Sequence, residues 1–461
     1  MLKKFFAGVV SAIALCGLLF ACTPKINPDQ QEEVEEIDPS DLERLKFTVE
    51  PTDAWVYASK PSFLLHIVNP NEVKVTDRVK LIVRTDKGEN LFTEEQQITV
   101  PANGLDFELK SENALAPGFY KAHIYVGRTN RLFVFGIDPT HIVSAPDMKD
   151  DFNEFWDSTK AELAGVDMQA ELTEITSRSS SARKVYFVEM KSIPDTAGKD
   201  PVTVRGYYIE PQDGKKHPVL MHYYGYDDQA GSSLVYCPYG GSDATFAEFY
   251  LSTRGQIINN RKASRRDADD GHGDFKNTYG DWFAYNFGHR DNYYYRGAFM
   301  DCVQAVRFMA TRPTSDMNNL FAEGASQGGA FSYAAASLSD FPFTAIAPCV
   351  AFLGDFPDYF GIVSWPGNTA KSNKGSMTDD EMYEFLSYFD TKNLATRIPA
   401  STAVIACSGL QDGTCPPHTN IAPFNNLKTT DKEYHYYPEM QHTIPSDWDG
   451  MITAFFKARI K

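Results

Sequence analysis

Gly324-Ala325-Ser326-Gln327-Gly328-Gly329 is the stretch from which the rest of the chain can be read. The approach, Asn319-Leu320-Phe321-Ala322-Glu323, is short and mostly apolar, as a buried parallel strand would be. The exit, Gly329-Ala330-Phe331-Ser332-Tyr333-Ala334-Ala335-Ala336, is small and helix-compatible. Strand, glycine-flanked turn and helix together leave the Ser326 hydroxyl exposed at the apex, because glycines let the chain turn sharply there. The N–H of Gln327, next in the chain, can then stabilise an oxyanion beside the serine. Taken alone, the hexapeptide also fits a glycine-rich turn with an incidental serine, so its partners decide.

A serine hydroxyl is a weak nucleophile at neutral pH and needs a base, and the base needs an orienting acid. Where the serine sits on such a G-x-S-x-G strand–turn–helix elbow, its partners follow in the chain order acid, then histidine. After Ser326 the best acid is Asp412, in the loop after the apolar strand Thr402 to Ala406. Catalytic groups of such sheets gather at strand ends. His442 is the natural base. It sits in the loop Pro438-Glu439-Met440-Gln441-His442-Thr443, after Tyr434-His435-Tyr436-Tyr437 and before a last helix at Asp447 to Lys457. His418 also follows the serine but lies beside Asp412 at a helix start, a poorer place from which to bridge to Ser326. His435 alternates within a strand and reads as packed.

Around this constellation the pattern is mixed. Asp151-Phe152-Asn153-Glu154-Phe155-Trp156-Asp157 opens a helix, and Arg296 to Thr311 forms another with Ala298, Cys302, Ala305, Val306 and Met309 on one face. Strands are expected at Lys184 to Met190, Val202 to Ile209, His217 to Tyr224, Phe343 to Val350, Thr402 to Ser408 and Glu433 to Tyr437. That alternation argues α/β class with a mostly parallel sheet. Upstream, from about residue 45 to 138, Ser62 to Val68, Arg78 to Arg84 and Lys121 to Val126 are short β-rich runs. Asn69-Pro70-Asn71, Asp86-Lys87-Gly88 and Ala116-Pro117-Gly118 punctuate them as turns. A small all-β domain, an immunoglobulin-like sandwich, is expected to precede the α/β part, with a spacer as its default role.

The N-terminus reads as an address. Lys3-Lys4 precede an apolar run from Phe5 to Ala21, and Leu18-Leu19-Phe20-Ala21-Cys22 resembles the lipobox of bacterial lipoproteins. Cleavage before Cys22 and lipidation of it would leave residues 22–44, with their acidic run from Asp29 to Glu43, as a solvated tether. The expected location is the bacterial cell envelope, lipid-anchored at the periplasmic face or cell surface. A net charge of −17 argues against nucleic acid as a partner. The remaining cysteines, Cys237, Cys302, Cys349, Cys407 and Cys415, form no CxxC pair, so neither zinc nor a disulfide framework is implied. A Cys407–Cys415 bridge stays open. Asp267, Asp269, Asp270, His272 and Asp274 fit no calcium loop, and no metal or cofactor is expected. Trp282, Phe283, Tyr285 and Phe287 fit either a site entrance or core.

From about residue 146 to 461 the chain resembles the acetyl xylan esterase and cephalosporin-C deacetylase group, carbohydrate esterase family 7. Arg254-Gly255-Gln256, the Gly324–Gly329 turn, Tyr293-Tyr294-Tyr295-Arg296, Leu386-Ser387-Tyr388-Phe389-Asp390 and Gly409-Leu410-x-Asp412-x-x-Cys415-Pro416-Pro417 carry the likeness. The resemblance implies an α/β-hydrolase fold and a serine esterase acting on acetylated xylan or xylo-oligosaccharides, with Ser326, Asp412 and His442 as its triad. Gly225-Tyr226 resembles the family's oxyanion segment, so the Tyr226 N–H would join that of Gln327. Arg254 and Gln256 would hold loops by hydrogen bonds. Thr443 stands where the family has glutamate. The family's members often form rings of dimers, so homo-oligomerisation is open. The rival readings are a peptidase-like acyl hydrolase and a glycan-binding lipoprotein with an inactive hydrolase domain.

Overall fold

Alternation of buried and half-exposed residues builds the first part of the fold. The computed structural model describes residues 42–196, 198–226, 235–256, 258 and 280–461. Cys22, most of the tether and the Asp267–Asp274 group therefore lie outside the described residues. Strands β1 (Lys46–Glu50), β3 (Ser62–Val68) and β6 (Leu105–Lys110) form one sheet. A second has the order β2-β8-β7-β4-β5, with β2 (Val56–Tyr57), β4 (Val75–Thr85), β5 (Asn90–Val100), β7 (Gly118–Val126) and β8 (Thr129–Ile137). Along β4 the period-two pattern continues through its apolar end, burying Val79, Leu81 and Val83. Phe63 of β3 meets Phe133 and Phe135 of β8 edge-on, with ring centroids 5.3 and 5.4 Å apart. The two sheets are thus joined by aromatic packing. No α-helix occurs among the described residues 45–138.

The second part is a nine-stranded sheet of order β17-β16-β15-β14-β12-β13-β11-β10-β9. Its strands are β9 (Glu171–Glu174), β10 (Arg183–Pro194), β11 (Pro201–Pro211), β12 (His217–Tyr223), β13 (Ala247–Ser252), β14 (Ser315–Ala325), β15 (Ala345–Cys349), β16 (Ala403–Gly409) and β17 (Lys432–Tyr437). From β17 to β13 every pair is parallel, and β11, β10 and β9 add antiparallel. Every residue of β15 and β16 is buried, as strands covered on both faces require. Strand β13 was not legible in the sequence: its six residues carry no turn signal that sets them apart.

The helices are α1 (Phe152–Ala164), α2 (Tyr294–Ala310), α3 (Gln327–Leu338), α4 (Phe356–Ile362), α5 (Gly367–Asn373), α6 (Asp379–Ser387), α7 (Thr391–Ala395), α8 (Pro417–Asn425) and α9 (Trp448–Lys457). Helix α9 places Trp448, Ile452, Phe455 and Phe456 against Phe321, Ala347, Ile405 and Cys407 of the sheet. Each such large side chain contributes about 1.5–3 kcal/mol by leaving water. Helix α3 is buried on all sides, and its run of alanines permits that close packing. Cys237, Cys302, Cys349, Cys407 and Cys415 are all free and buried, so the Cys407–Cys415 bridge is not formed. Trp282, Phe283 and Phe287 are core residues, whereas Tyr285 is half-buried and donates to Asp195 Oδ2 at 2.9 Å.

Candidate active site

Strand β14 delivers the turn and α3 leaves it. Ser326 stands between them at φ 59°, ψ −121°, a conformation a non-glycine residue adopts only when its surroundings impose it. Those surroundings are visible. The Ser326 N–H donates to Cys349 O at 2.9 Å, and its carbonyl accepts from Phe352 N at 3.0 Å and Ala330 N at 3.2 Å. A Cβ on Gly328 would stand 2.2 Å from Tyr223 O, and one on Gly324 would stand 2.5 Å from the Gly328 backbone. Only glycines let β12, β14 and α3 converge there.

The sequence brings the acid and base to this turn from two other strand ends. Asp412 follows β16 with its side chain fully buried. Its Oδ1 accepts from the N–H groups of Thr414 and Cys415, both at 2.8 Å. Its Oδ2 lies 2.7 Å from His442 Nδ1, and His442 Nε2 lies 3.0 Å from Ser326 Oγ. An ionised carboxylate only accepts, so the Nδ1 proton points at Asp412 and leaves Nε2 free to accept from the serine. His442 keeps 27% exposure, enough for water to reach the ring. The Cys415 thiol lies 3.9 Å from Tyr359 OH; burial and the Asp412 charge push its pKa up, against hydrogen bonding to Tyr359 and Ser326. The arrangement can take a proton from a serine hydroxyl and return it to a leaving group.

Gln327 is buried at the first position of α3, where a backbone N–H has no intrahelical acceptor. Its side-chain Oε1 accepts from Tyr295 OH at 2.9 Å. The chain through Tyr223 and Tyr224 packs against Gly328 and leads directly to Gly225-Tyr226. The Tyr226 hydroxyl donates to Asp281 and accepts from Trp282 N at 2.6 Å, so the ring is held by the 281–283 turn. Burial and the Asp281 carboxylate push that phenol's pKa far up. Gln256 Nε2 donates to Gly225 O at 3.1 Å and Oε1 accepts from Thr253 Oγ1, which ties down the residue before Tyr226. Arg254 is buried beneath. Its Nε and one terminal nitrogen engage both oxygens of fully buried Asp301 at 2.9 and 2.7 Å, and it also donates to Ile193 O at 3.2 Å. Both residues hold loops through hydrogen bonds of this kind.

His418 sits elsewhere. Its Nε2 lies 3.0 Å from Asp355 Oδ2 and 3.2 Å from Asp358 Oδ2. Burial would lower its pKa, but hydrogen bonds to these carboxylates outweigh that and raise it to about 9. Among the described residues this trio brings metal-type donor atoms within 4.8 Å of one another. Its carboxylates are already paired with cations, Asp355 with Lys392 at 2.8 Å and Asp358 with Lys87. His435 lies over Trp448, ring centroids 6.5 Å apart. Thr443 is exposed.

A serine, a histidine and a carboxylate in hydrogen-bonded series at the carboxyl ends of parallel strands define a hydrolase of the α/β type. Within that class the chain belongs to the acetyl xylan esterase family (AXE1), whose sequence profile matches residues 141–459, and it is a carboxylic ester hydrolase. It is 24% identical over 359 residues to acetyl esterase Axe7A of Xylanibacter ruminicola, covering 75% of each chain. In fold it is similar to acetyl xylan esterase 1 from Thermoanaerobacterium sp. JW/SL YS485, with TM-score 0.57, 22% identity, and coverage of 70% of this chain and 98% of that one. The acetyl xylan esterase from Paenibacillus sp. R4 gives TM-score 0.57 at 23% identity with the same coverage.

Proposed function

We propose that the chain removes acetyl groups from acetylated xylan, short xylo-oligosaccharides above all, with Ser326 as nucleophile. The observation that carries this reading is the series Ser326 Oγ–His442 Nε2–Asp412 Oδ2, at 3.0 and 2.7 Å. His442 takes the serine proton as Oγ attacks the acetyl carbonyl. The N–H groups of Gln327 and Tyr226 hold the oxyanion; removing one such donor typically costs about 10²–10³ in rate. His442 then protonates the departing sugar oxygen, and the acetyl group stays on Ser326. Water deprotonated by His442 attacks that ester, acetate leaves, and the proton returns to Ser326. Every proton in this cycle is moved by His442.

Comparing turnover of acetylated xylo-oligosaccharides with that of an acyl-peptide tests the substrate class. Acetate release with little peptide cleavage is expected, and preferential amide cleavage would contradict it. We also propose that Cys22 is lipidated, that residues 22–44 tether the enzyme to the cell envelope, and that residues 45–138 are an immunoglobulin-like domain in their own right.

A further inference from the structure

The five-stranded sheet meets the loops of the candidate active site at the edge of β8. Strand β8 pairs with β7 along its length, but β2 covers only its end, at Gly136 and Ile137. At Val134 the outer edge of β8 is therefore open, with a backbone donor and acceptor side by side. The Gln411 side chain fills it. Its Oε1 accepts from Val134 N at 2.8 Å and its Nε2 donates to Val134 O at 2.9 Å, as an adjoining strand would. The same Nε2 donates to Pro438 O at 2.7 Å. Gln411 precedes Asp412 directly, and Pro438 begins the loop that ends in His442. One side-chain amide thus joins the acid loop, the base loop and β8. Two more contacts follow the same line: Gln411 N donates to Met440 O at 3.0 Å, and Arg131 of β8 pairs with Glu439 at 2.7 Å.

We infer that Gln411 is a positioning residue: it fixes the Asp412 and His442 loops to each other and to the edge of β8, so the five-stranded sheet braces the triad. The residue touches no reacting atom. It acts through the spacing of His442 between Asp412 and Ser326, where misplacement by about 1 Å can cost about 10²-fold in rate. The bond set distinguishes this from packing, because a side-chain amide presents its donor and acceptor side by side, as an open strand edge needs.

The inference rests on the esterase reading, and the test separates the two. Gln411→Ala and Arg131→Leu are compared with the parent protein for acetate release, thermal stability and amide hydrogen exchange of residues 438–443. In Gln411→Ala, kcat is expected to fall about 10–100-fold. KM should stay within about twofold, since a residue remote from substrate leaves binding alone. Exchange in 438–443 should quicken while the sheet is unchanged. Arg131→Leu removes the Glu439 pair, which holds the same loop, along with the contacts of the guanidinium over the Trp55 and Phe133 rings, and should lower kcat about 2–5-fold with no loss of folding. It keeps the test open if Gln411→Ala does not fold. Parent-like kcat and exchange in either folded variant would overturn the bracing role, as would a rise in KM with kcat intact. A folded parent protein without turnover on any acetylated glycan would instead overturn the esterase reading.

Discussion

Ser326 holds positive φ because three bonds through its own amide and carbonyl leave no relaxed alternative. The glycine beside it is the sharpest residue-level test. In Gly328→Ala the new Cβ would meet the Tyr223 carbonyl at 2.2 Å, backbone against backbone, with no flexible end to move aside. Overpacking of this kind costs about 1–3 kcal/mol, and the displaced turn would carry Ser326 off line. A lower melting temperature together with reduced kcat is expected; parent-like values for both would mean that the turn is looser than drawn. At this scale the chemistry was readable in advance, since a serine at a glycine turn, an acid after a strand and a histidine in the last loop are residue types the reaction cannot do without. Gln411 was not readable. It stood as an unassigned position between Leu410 and Asp412, and its partner Val134 lies 277 residues away in sequence.

The elements around α8 carry a charged network that links the sheets. The Asp86-Lys87-Gly88 turn between β4 and β5, expected from sequence, reaches α4, where Lys87 pairs with Asp358, and Asp358 faces His418 of α8. Asp86 lies 3.8 Å from the same ring, and Asp355 also pairs with Lys392. With its folded pKa raised from 6.5 to about 9, His418 contributes stability that is complete below about pH 6.5 and is lost as pH rises through 9. Full titration is worth on the order of 3 kcal/mol. His222, half-buried between Glu248 and Glu323 and likewise raised to about 9, titrates in the same window. Denaturant melts at about pH 6.5 and 9.5 should show the parent protein losing stability and His418→Gln losing visibly less. Equal losses would mean that His418 is not charged in the folded protein. Of the strands flanking the turn, β4 was legible from its apolar run, whereas β5, with Glu94, Glu95, Gln96 and Gln97 at its centre, was not. The helices between residues 356 and 395 were not, being five to nine residues long and set by tertiary contacts.

At the scale of the whole molecule, two sheets meet at one site. The large sheet supplies the strand ends that carry Ser326, Asp412 and His442, and the β8 edge meets the loops between them. The change from period-two runs to alternating strands and helices marks where the small sheets give way to the large one, and all three lie in the compact unit Arg44–Lys461. Pattern reports local burial; it does not report which edges of separate sheets meet. Lipidation at Cys22 would hold this body at the envelope, and Cys22→Ala is expected to move the protein from the membrane to the soluble fraction. Equal membrane recovery of the two forms would contradict the anchor. If Ser326 is the nucleophile of ester hydrolysis on acetylated xylo-oligosaccharides, acetate release by the soluble form lacking residues before Thr23 should be lost in its Ser326→Ala variant. Release by the parent and a loss of about 10⁴-fold or more in the variant are expected. Equal release by a folded Ser326→Ala protein would contradict it.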